Sequence, residues 1–368
     1  MNVTKILGRG IRLGFKVGIV GYGTFLPRCR LSLREIIDVW HNRNEHDLQR
    51  SMVSEKAVPE LDEDAITMAI DASREAIEVS SLAPMDIEAV YLGSCSHPYV
   101  AKASSAILLE TLGIGHDALC ADVQFSGKSG SAAMQICTSL VKAHMVRYGL
   151  AAASDCLGFR SRPGEDFEYY ASAGAAAYII GAGKNILAEI EDTYSYNTDT
   201  NDYFRLDGDR YIRYGGGALE LGKMGYERHT KAATEGLMTR LGYGPQDFDF
   251  VVFHQPNGSR PYAMGSALGF KKEQIQTGNL AEILGDCGAA SSLIGLAAVL
   301  DEAEPGARIL LVSYGFGAGS DAFSFTVTDE VKSRRRKKVR DKIKQKKTIS
   351  YATSVLFERK YVRTFQGE

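Results

Sequence analysis

Several turns in this sequence hold residues able to do chemistry. In "FHQPNG" (253–258), His254 closes an apolar run, and the Pro-Asn-Gly turn that follows exposes the strand end. A histidine there can polarise a carbonyl or shuttle a proton; it can equally be structural. "GSCSHPY" (93–99) carries Cys95 and His97 two residues apart. The pair makes a poor dyad by itself, and without an activating neighbour Cys95 reads as a small buried thiol. "LGDCGAASS" (284–292) sets Asp286 and Cys287 just ahead of a helix. The helix dipole favours an acid there and can lower a thiol pKa, and packing roles fit both residues as well. "QFSGKSG" (124–130) bends from a strand end into a helix start, where unpaired N–H groups favour developing negative charge. That turn offers Ser126, Gly127, Lys128 and Ser129, and no cysteine.

These turns need a scaffold of alternating strands and helices. Strands are expected at 16–22, 87–94, 175–181, 248–255, 308–315 and 321–328, and helices at 62–79, 102–112, 129–147, 229–241 and 289–303. Nearly continuous apolar strands suggest a sheet covered on both faces, an α/β arrangement. The halves repeat each other: "PMDIEAVYLGS" (84–94) aligns with "PQDFDFVVFHQ" (245–255). At the same offset "GKSGSAAMQICTSLV" (127–141) falls on "GAASSLIGLAAVLDE" (288–302), so each half has a strand followed by a Gly/Ser turn and a small-residue helix. Two such halves packed together bring both helix starts to one central cleft. "YGFGAGSDAF" (314–323) lacks the third glycine and the helix of a dinucleotide loop, so its glycines read as a close backbone passage beside the cleft.

The totals bound the function. The chain has 368 residues, 45% of them hydrophobic and 24% charged, with 38 glycines and a net charge of −2. That balance argues against a nucleic-acid or membrane partner. The 6 cysteines form no CxxC pair, which argues against a zinc ribbon or a secreted disulfide scaffold and for a reduced, cytoplasmic protein. No run of about 18 apolar residues is present, and the basic start of the chain lacks the marks of a signal peptide. The run "KSRRRKKVRDKIKQKK" (332–347) is read as a solvated helix or linker, with an anionic-partner patch as the alternative.

Together "GSCSHPY", "QFSGKSG", "ASAGAAAYIIG", "TYSYNTDT", "FHQPNG", "GLAAVLDEAEPG" and "SYGFGAGSDAFS" resemble the thiolase superfamily, and within it archaeal-type hydroxymethylglutaryl-CoA synthases, over residues 16–362. The resemblance implies a duplicated thiolase-type five-layer αβαβα fold and a homodimer. It also implies condensation of acyl-CoA substrates through a cysteine thioester, using a Cys-His-Asn site helped by a glutamate. Carried over by position, the histidine is His254, the nucleophile falls on Gly127, the glutamate on Cys95 and the asparagine on Asp286. Glycine cannot form an acyl-enzyme, and losing a nucleophile removes covalent catalysis outright.

"YLGSCSHPY", "ADVQFSGKSG", "GDRYIRYGGG", "LGDCGAAS" and "LLVSYGFGAGSDA" are similar more narrowly to the nucleophile-lacking, synthase-like subunit of the phloroglucinol C-acyltransferase complex. His254 departs from that subunit and keeps the synthase residue. This likeness implies a separate thiolase-like catalytic subunit and a small OB-fold adaptor as partners, with a CoA thioester as substrate and no cofactor or metal. The expected organisation is an N-terminal extension (1–15), two thiolase-like halves (16–183 and 184–330), and a basic segment with a C-terminal tail (331–368). The alternatives are an enzyme of altered, cysteine-independent chemistry and a module that binds CoA esters or a partner.

Overall fold

A computed structural model describes residues 15–215, 223–334 and 338–361. Most of the N-terminal extension, the last two glycines of "GDRYIRYGGG", part of the basic run and the end of the tail lie outside the described residues.

The strands are β1 (Val17–Phe25), β2 (Cys29–Ser32), β3 (Glu55–Val58), β4 (Ala89–Gly93), β5 (Leu119–Val123), β6 (Gly149–Cys156) and β7 (Ala173–Ala182) in the first half. The rest are β8 (Ala188–Asn197), β9 (Tyr203–Phe204), β10 (Arg213–Tyr214), β11 (Phe250–Phe253), β12 (Arg308–Val312), β13 (Gly319–Val327) and β14 (Lys347–Ile349). Nine of them form one mixed sheet in the order β11-β12-β13-β8-β1-β7-β6-β4-β5. The halves meet at β1 and β8, which pair only at Gly18↔Glu189 and Ile19↔Ala188.

Side-chain alternation along these strands builds five layers. One face of the first half, with Val90 and Leu92 of β4 and Ile179 of β7, packs on the helices Ala65–Ser80 and Ser104–Leu112. The outer face of the second half, with Val251 and Phe253 of β11, packs on Arg228–Leu241 and Arg260–Ala267. The inner faces of both halves share one core around the helices Ser129–Lys142 and Ser291–Leu300. All residues of the second of these helices are buried, which explains why it is apolar all round. The order is therefore helix, sheet, helix, sheet, helix, the thiolase-like α/β fold. No helix among the described residues is long and apolar enough to cross a membrane.

The described part of the basic run is helical and mostly exposed, as expected of a solvated helix, and it is anchored as well. Val339 and Ile343 are buried in the shared core. Lys342 is bonded to Glu75 and to Thr24 of the first half, while Arg340 pairs with Glu302 of the second at 3.1 Å. Lys346 reaches Glu55 at 2.7 Å. A lysine-rich segment can lie down here because acids of both halves face it, so its described cations strap the halves together.

The strap continues as β14, which adds to β2 and β3 in a small sheet, and as the helix Tyr351–Phe357. It ends in a buried charge network. Lys360 Nζ lies 2.6 Å from both Glu168 Oε1 and Glu358 Oε2, and Lys56 Nζ lies 3.2 Å from Glu358 Oε1. Glu168 belongs to the short helix Asp166–Tyr170, whose other side chains form one wall of the central cavity.

Candidate active site

His254 is fixed by its own strand and by the turn that follows. Its N–H donates to the Val312 carbonyl at 2.8 Å, one residue beyond the end of β11. Asn257 Oδ1 accepts from the Ser259 and Arg260 N–H groups and so closes the turn. Gln255 bonds Gly278, Leu280 and Ala281, pinning the segment that leads to Asp286. The Tyr226 hydroxyl donates to the His254 carbonyl at 2.8 Å.

Asp286 arrives from the second half along the first. Its N–H donates to the Tyr170 carbonyl at 2.7 Å, and its Oδ1 accepts from the Gly288 N–H at 2.9 Å. That bond is the helix-start role read from the sequence. Oδ2 stands 3.5 Å from His254 Nε2, a long pair held in place from both sides. Among the described residues, the buried His254 Nδ1 has no hydrogen-bond partner.

Gly127 packs against the other edge of the same ring. A Cβ built on it would lie 2.6 Å from His254 Cε1, and closer still to the Tyr314 carbonyl oxygen. The space that a side chain at position 127 would need is therefore occupied by its neighbours, one of them backbone. The buried Ser126 hydroxyl has no partner among the described residues, and Ser129 Oγ donates to the Ser126 carbonyl at 2.7 Å. Lys128 is held away by Asp321 and Asn197, each at 3.0 Å. The glycines of "YGFGAG" do allow a close passage: a side chain on Gly315 would collide with the Phe125 carbonyl and Lys128.

Cys95 joins this group through a residue that the sequence reading missed. Asp155, at the end of β6, accepts from the Cys95 N–H at 2.9 Å and from the Ser94 and Ser96 hydroxyls at 2.8 and 2.6 Å. Its second oxygen accepts from the Ala289 N–H at 2.7 Å, linking the first-half floor to the second-half helix start. Burial raises the Asp155 pKa against these hydrogen bonds. Burial, with Asp155 and Asp286 nearby, pushes the Cys95 thiol well up, so it is no thiolate nucleophile. Cys287 is buried and pushed up to about 12, which fits packing and excludes the activated-thiol reading. The signal for Asp155 was an acid ending the small-residue run "LAAASD".

His254 and Asp286 open into a cavity of about 250 Å³, and neither Cys95 nor Gly127 is among its lining residues. Its walls are aromatic: Phe167, Tyr170, Tyr203, Tyr226, Tyr314 and Phe316. Burial pushes Tyr203 up to about 12 and raises Tyr226 and Tyr314 further, so these hydroxyls act as neutral donors. Tyr314 donates to the buried Asp202. Arg43, paired with Asp166 at 2.7 Å, and Arg260, paired with Glu227 at 2.6 Å, also line the cavity. The arrangement brings an imidazole to a carboxylate inside an aromatic cavity, with the Tyr226 and Tyr314 hydroxyls committed to the His254 carbonyl and Asp202.

Layered halves meeting at paired helix starts, with a strand-end histidine between them, define a thiolase-like condensing fold. Residues 238–327 match the family described as 3-oxoacyl-[acyl-carrier-protein] synthase III C terminal. The chain is 46% identical over 345 residues to a hydroxymethylglutaryl-CoA synthase of Archaeoglobus fulgidus, covering 94% of this chain and 99% of that one. It is 43% identical to one of Methanocaldococcus jannaschii, covering 93% and 99%. The chain belongs to the hydroxymethylglutaryl-CoA synthase family and is a synthase-like member of these acyltransferases. The same fold appears in a hydroxymethylglutaryl-CoA synthase solved with CoA, at TM-score 0.82 and 20% identity, covering 92% of this chain and 89% of that one. It appears again in OleA with lauric acid and lauroyl-CoA, at TM-score 0.75 and 16% identity, covering 84% and 99%.

Proposed function

We propose that this chain is the non-nucleophilic subunit of a multi-subunit acyltransferase, built on the synthase fold and acting on a CoA thioester that another chain attacks. One observation carries the reading: the nucleophile position is Gly127, and its Cβ site is filled by His254 and the Tyr314 carbonyl. Cys95 and Asp286 at the glutamate and asparagine positions support it. The arrangement resembles that of the phloroglucinol C-acyltransferase, with a thiolase-like subunit supplying the cysteine and a small OB-fold subunit as adaptor. A homodimer is proposed as well. The sheet-edge strand β5 supports it, since Leu119, Cys120 and Ala121 are exposed there, with Val100 nearby in sequence at 94% exposure.

The test is incubation of the isolated chain with labelled acetyl-CoA, followed by intact-mass analysis, together with affinity purification from its native cell. No adduct is expected, and a thiolase-like protein and a small adaptor co-purify. A stoichiometric, hydroxylamine-labile acetyl group on the isolated chain sinks the reading.

The aromatic cavity around His254 and Asp286 favours a second reading, cysteine-independent proton transfer on a bound CoA thioester. A base and hydroxyl donors suffice for that chemistry. Turnover unchanged in His254→Ala removes it.

A further inference from the structure

Among the described residues, none from the C-terminal helix Tyr351–Phe357 onward lines the cavity, yet two side chains that follow this helix are built into the cavity's support. Glu358 and Lys360 are both buried. Three segments of the first half close around them. From β3, Lys56 Nζ pairs with Glu358 Oε1 at 3.2 Å and donates to the Glu168 carbonyl at 3.0 Å. From the helix Asp166–Tyr170, the Glu168 carboxylate accepts from Lys360 at 2.6 Å and from the Tyr351 hydroxyl at 3.2 Å. From the turn after β6, Gly158 makes the room: a side chain there would collide with the Glu358 carboxylate.

These bonds lead to the site in short steps. Glu168 Oε2 also accepts from the Gly164 N–H at 2.6 Å, which fixes the turn onto its helix. At the end of that helix the Tyr170 carbonyl accepts from the Asp286 N–H at 2.7 Å, and the Asp286 carbonyl accepts from the Ser172 N–H at 3.0 Å. Asp286 is therefore hung on residues 170–172 of the first half, while His254, 3.5 Å away, stands on β11 of the second. Ser172 is tied back to β3 through the Ala57 N–H and carbonyl, each at 3.0 Å. The same helix sets Asp166 and Phe167 in the cavity wall, and the Tyr170 hydroxyl accepts from Arg43 at 2.6 Å.

Stability alone does not call for such a network. Two carboxylates and two ammonium groups taken out of water gain no more than an apolar core of the same shape would, and often less. What they add is direction, since hydrogen bonds between charged groups fix distance and angle where apolar contacts tolerate sliding. At 3.5 Å the His254–Asp286 pair is long, so a small movement of the Tyr170 carbonyl decides whether it closes or parts. We infer that Glu358 and Lys360 are positioning residues for the candidate site: through Glu168 they seat the helix Asp166–Tyr170, and through the Tyr170 carbonyl they set Asp286 against His254. The inference stands independently of the subunit assignment, because it concerns the geometry of that pair, whatever group attacks the substrate.

The test is hydrogen exchange of the full chain followed by NMR, read together with the His254 ring signal, which is assigned by its loss in His254→Gln. The measured quantity is the exchange rate of the Ser172 and Asp286 amides relative to the amides of β12, which report global opening. Lys360→Met is expected to raise that ratio by about ten-fold or more and to move the His254 signal. The charge-balanced Glu168→Gln/Lys360→Met leaves Lys56 with Glu358 and is expected to do the same; it decides the case if the single variant fails to fold. Ile343→Ala loosens the strap through its buried apolar anchor and leaves the four charges in place. It destabilises the chain but should keep both readouts at their parent values. The proposal is overturned if the ratio or the His254 signal stays at the parent value in the folded network variants, or if Ile343→Ala moves either one as far as they do. Acetylation of the isolated chain overturns the subunit reading alone.

Discussion

Replacing Gly127 tests the central observation directly. In Gly127→Ala the new methyl carbon starts 2.6 Å from His254 Cε1, whereas real Cβ contacts stay beyond 3.0 Å. Backbone bonds to Val312 and Tyr226 hold the His254 main chain in place, so relief must come from the ring turning against Asp286 and Tyr314. The Tyr314 carbonyl, which crowds the methyl even more, belongs to the chain between β12 and β13. Forcing a methyl into a filled site typically costs about 1–3 kcal/mol. At roughly 2–4 °C per kcal/mol for a large domain, Tm should fall by about 2–12 °C. Thermal and denaturant melts measure this. Ser126→Ala is the control: its hydroxyl has no partner to lose, so little change is expected. A double-mutant cycle with His254→Ala should recover part of the loss, because the ring edge is one of the two clashing groups. Gly127→Ala within about 0.5 kcal/mol of the parent would refute the closed-slot reasoning. So would Gly127→Cys that takes up one acetyl group from acetyl-CoA.

Further outcomes follow from the buried charges. Lys360→Met leaves Glu168 and Glu358 short of a cation and should destabilise by about 3–5 kcal/mol in urea melts. Burial pushes the Glu358 carboxyl up, but Lys360 and Lys56 outweigh it and hold the pKa below the ordinary range. Its contribution is therefore complete above about pH 4.3 and lost as pH falls through the folded pKa. Lys360 is held above its ordinary range despite burial, so its contribution is complete below about pH 10.4 and lost as pH rises through the folded pKa. Stability that is flat across the acid limb and unchanged in Lys360→Met contradicts both. Asp155→Asn puts a donor against the Ser94, Ser96, Cys95 and Ala289 donors and should cost about 1–3 kcal/mol, measured in the same melts. At pH 8 iodoacetamide should leave Cys95 unlabelled in the folded protein and label it after unfolding in urea, as peptide mapping will read; ready labelling of Cys95 in the folded protein contradicts its raised pKa.

Much of this was legible from residue patterns. The runs at 175–181 and 321–328 became β7 and β13, and the helices at 62–79 and 229–241 began and ended within a few residues of expectation. Apolar runs of that length keep their local preference because both faces are buried. Less legible were β2, β3 and β14, short strands that are stable only against each other. The anchoring of the strap was not legible, because the acidic partners of a run with eleven Lys and Arg in 332–347 lie elsewhere in the chain. Glu55, Glu75 and Glu302 lie far away along the chain and adjacent only after folding.

The sequence by itself determined that position 127 has no side chain, since residue type is local information. It also set the duplication that brings two helix starts together. Only the tertiary structure decided that the empty position is closed rather than vacant, because the atoms that fill it come from His254 and Tyr314, long steps away in the chain. The same holds for Asp155. Close packing places groups from distant segments within hydrogen-bonding reach, and no spacing in the linear chain records that distance.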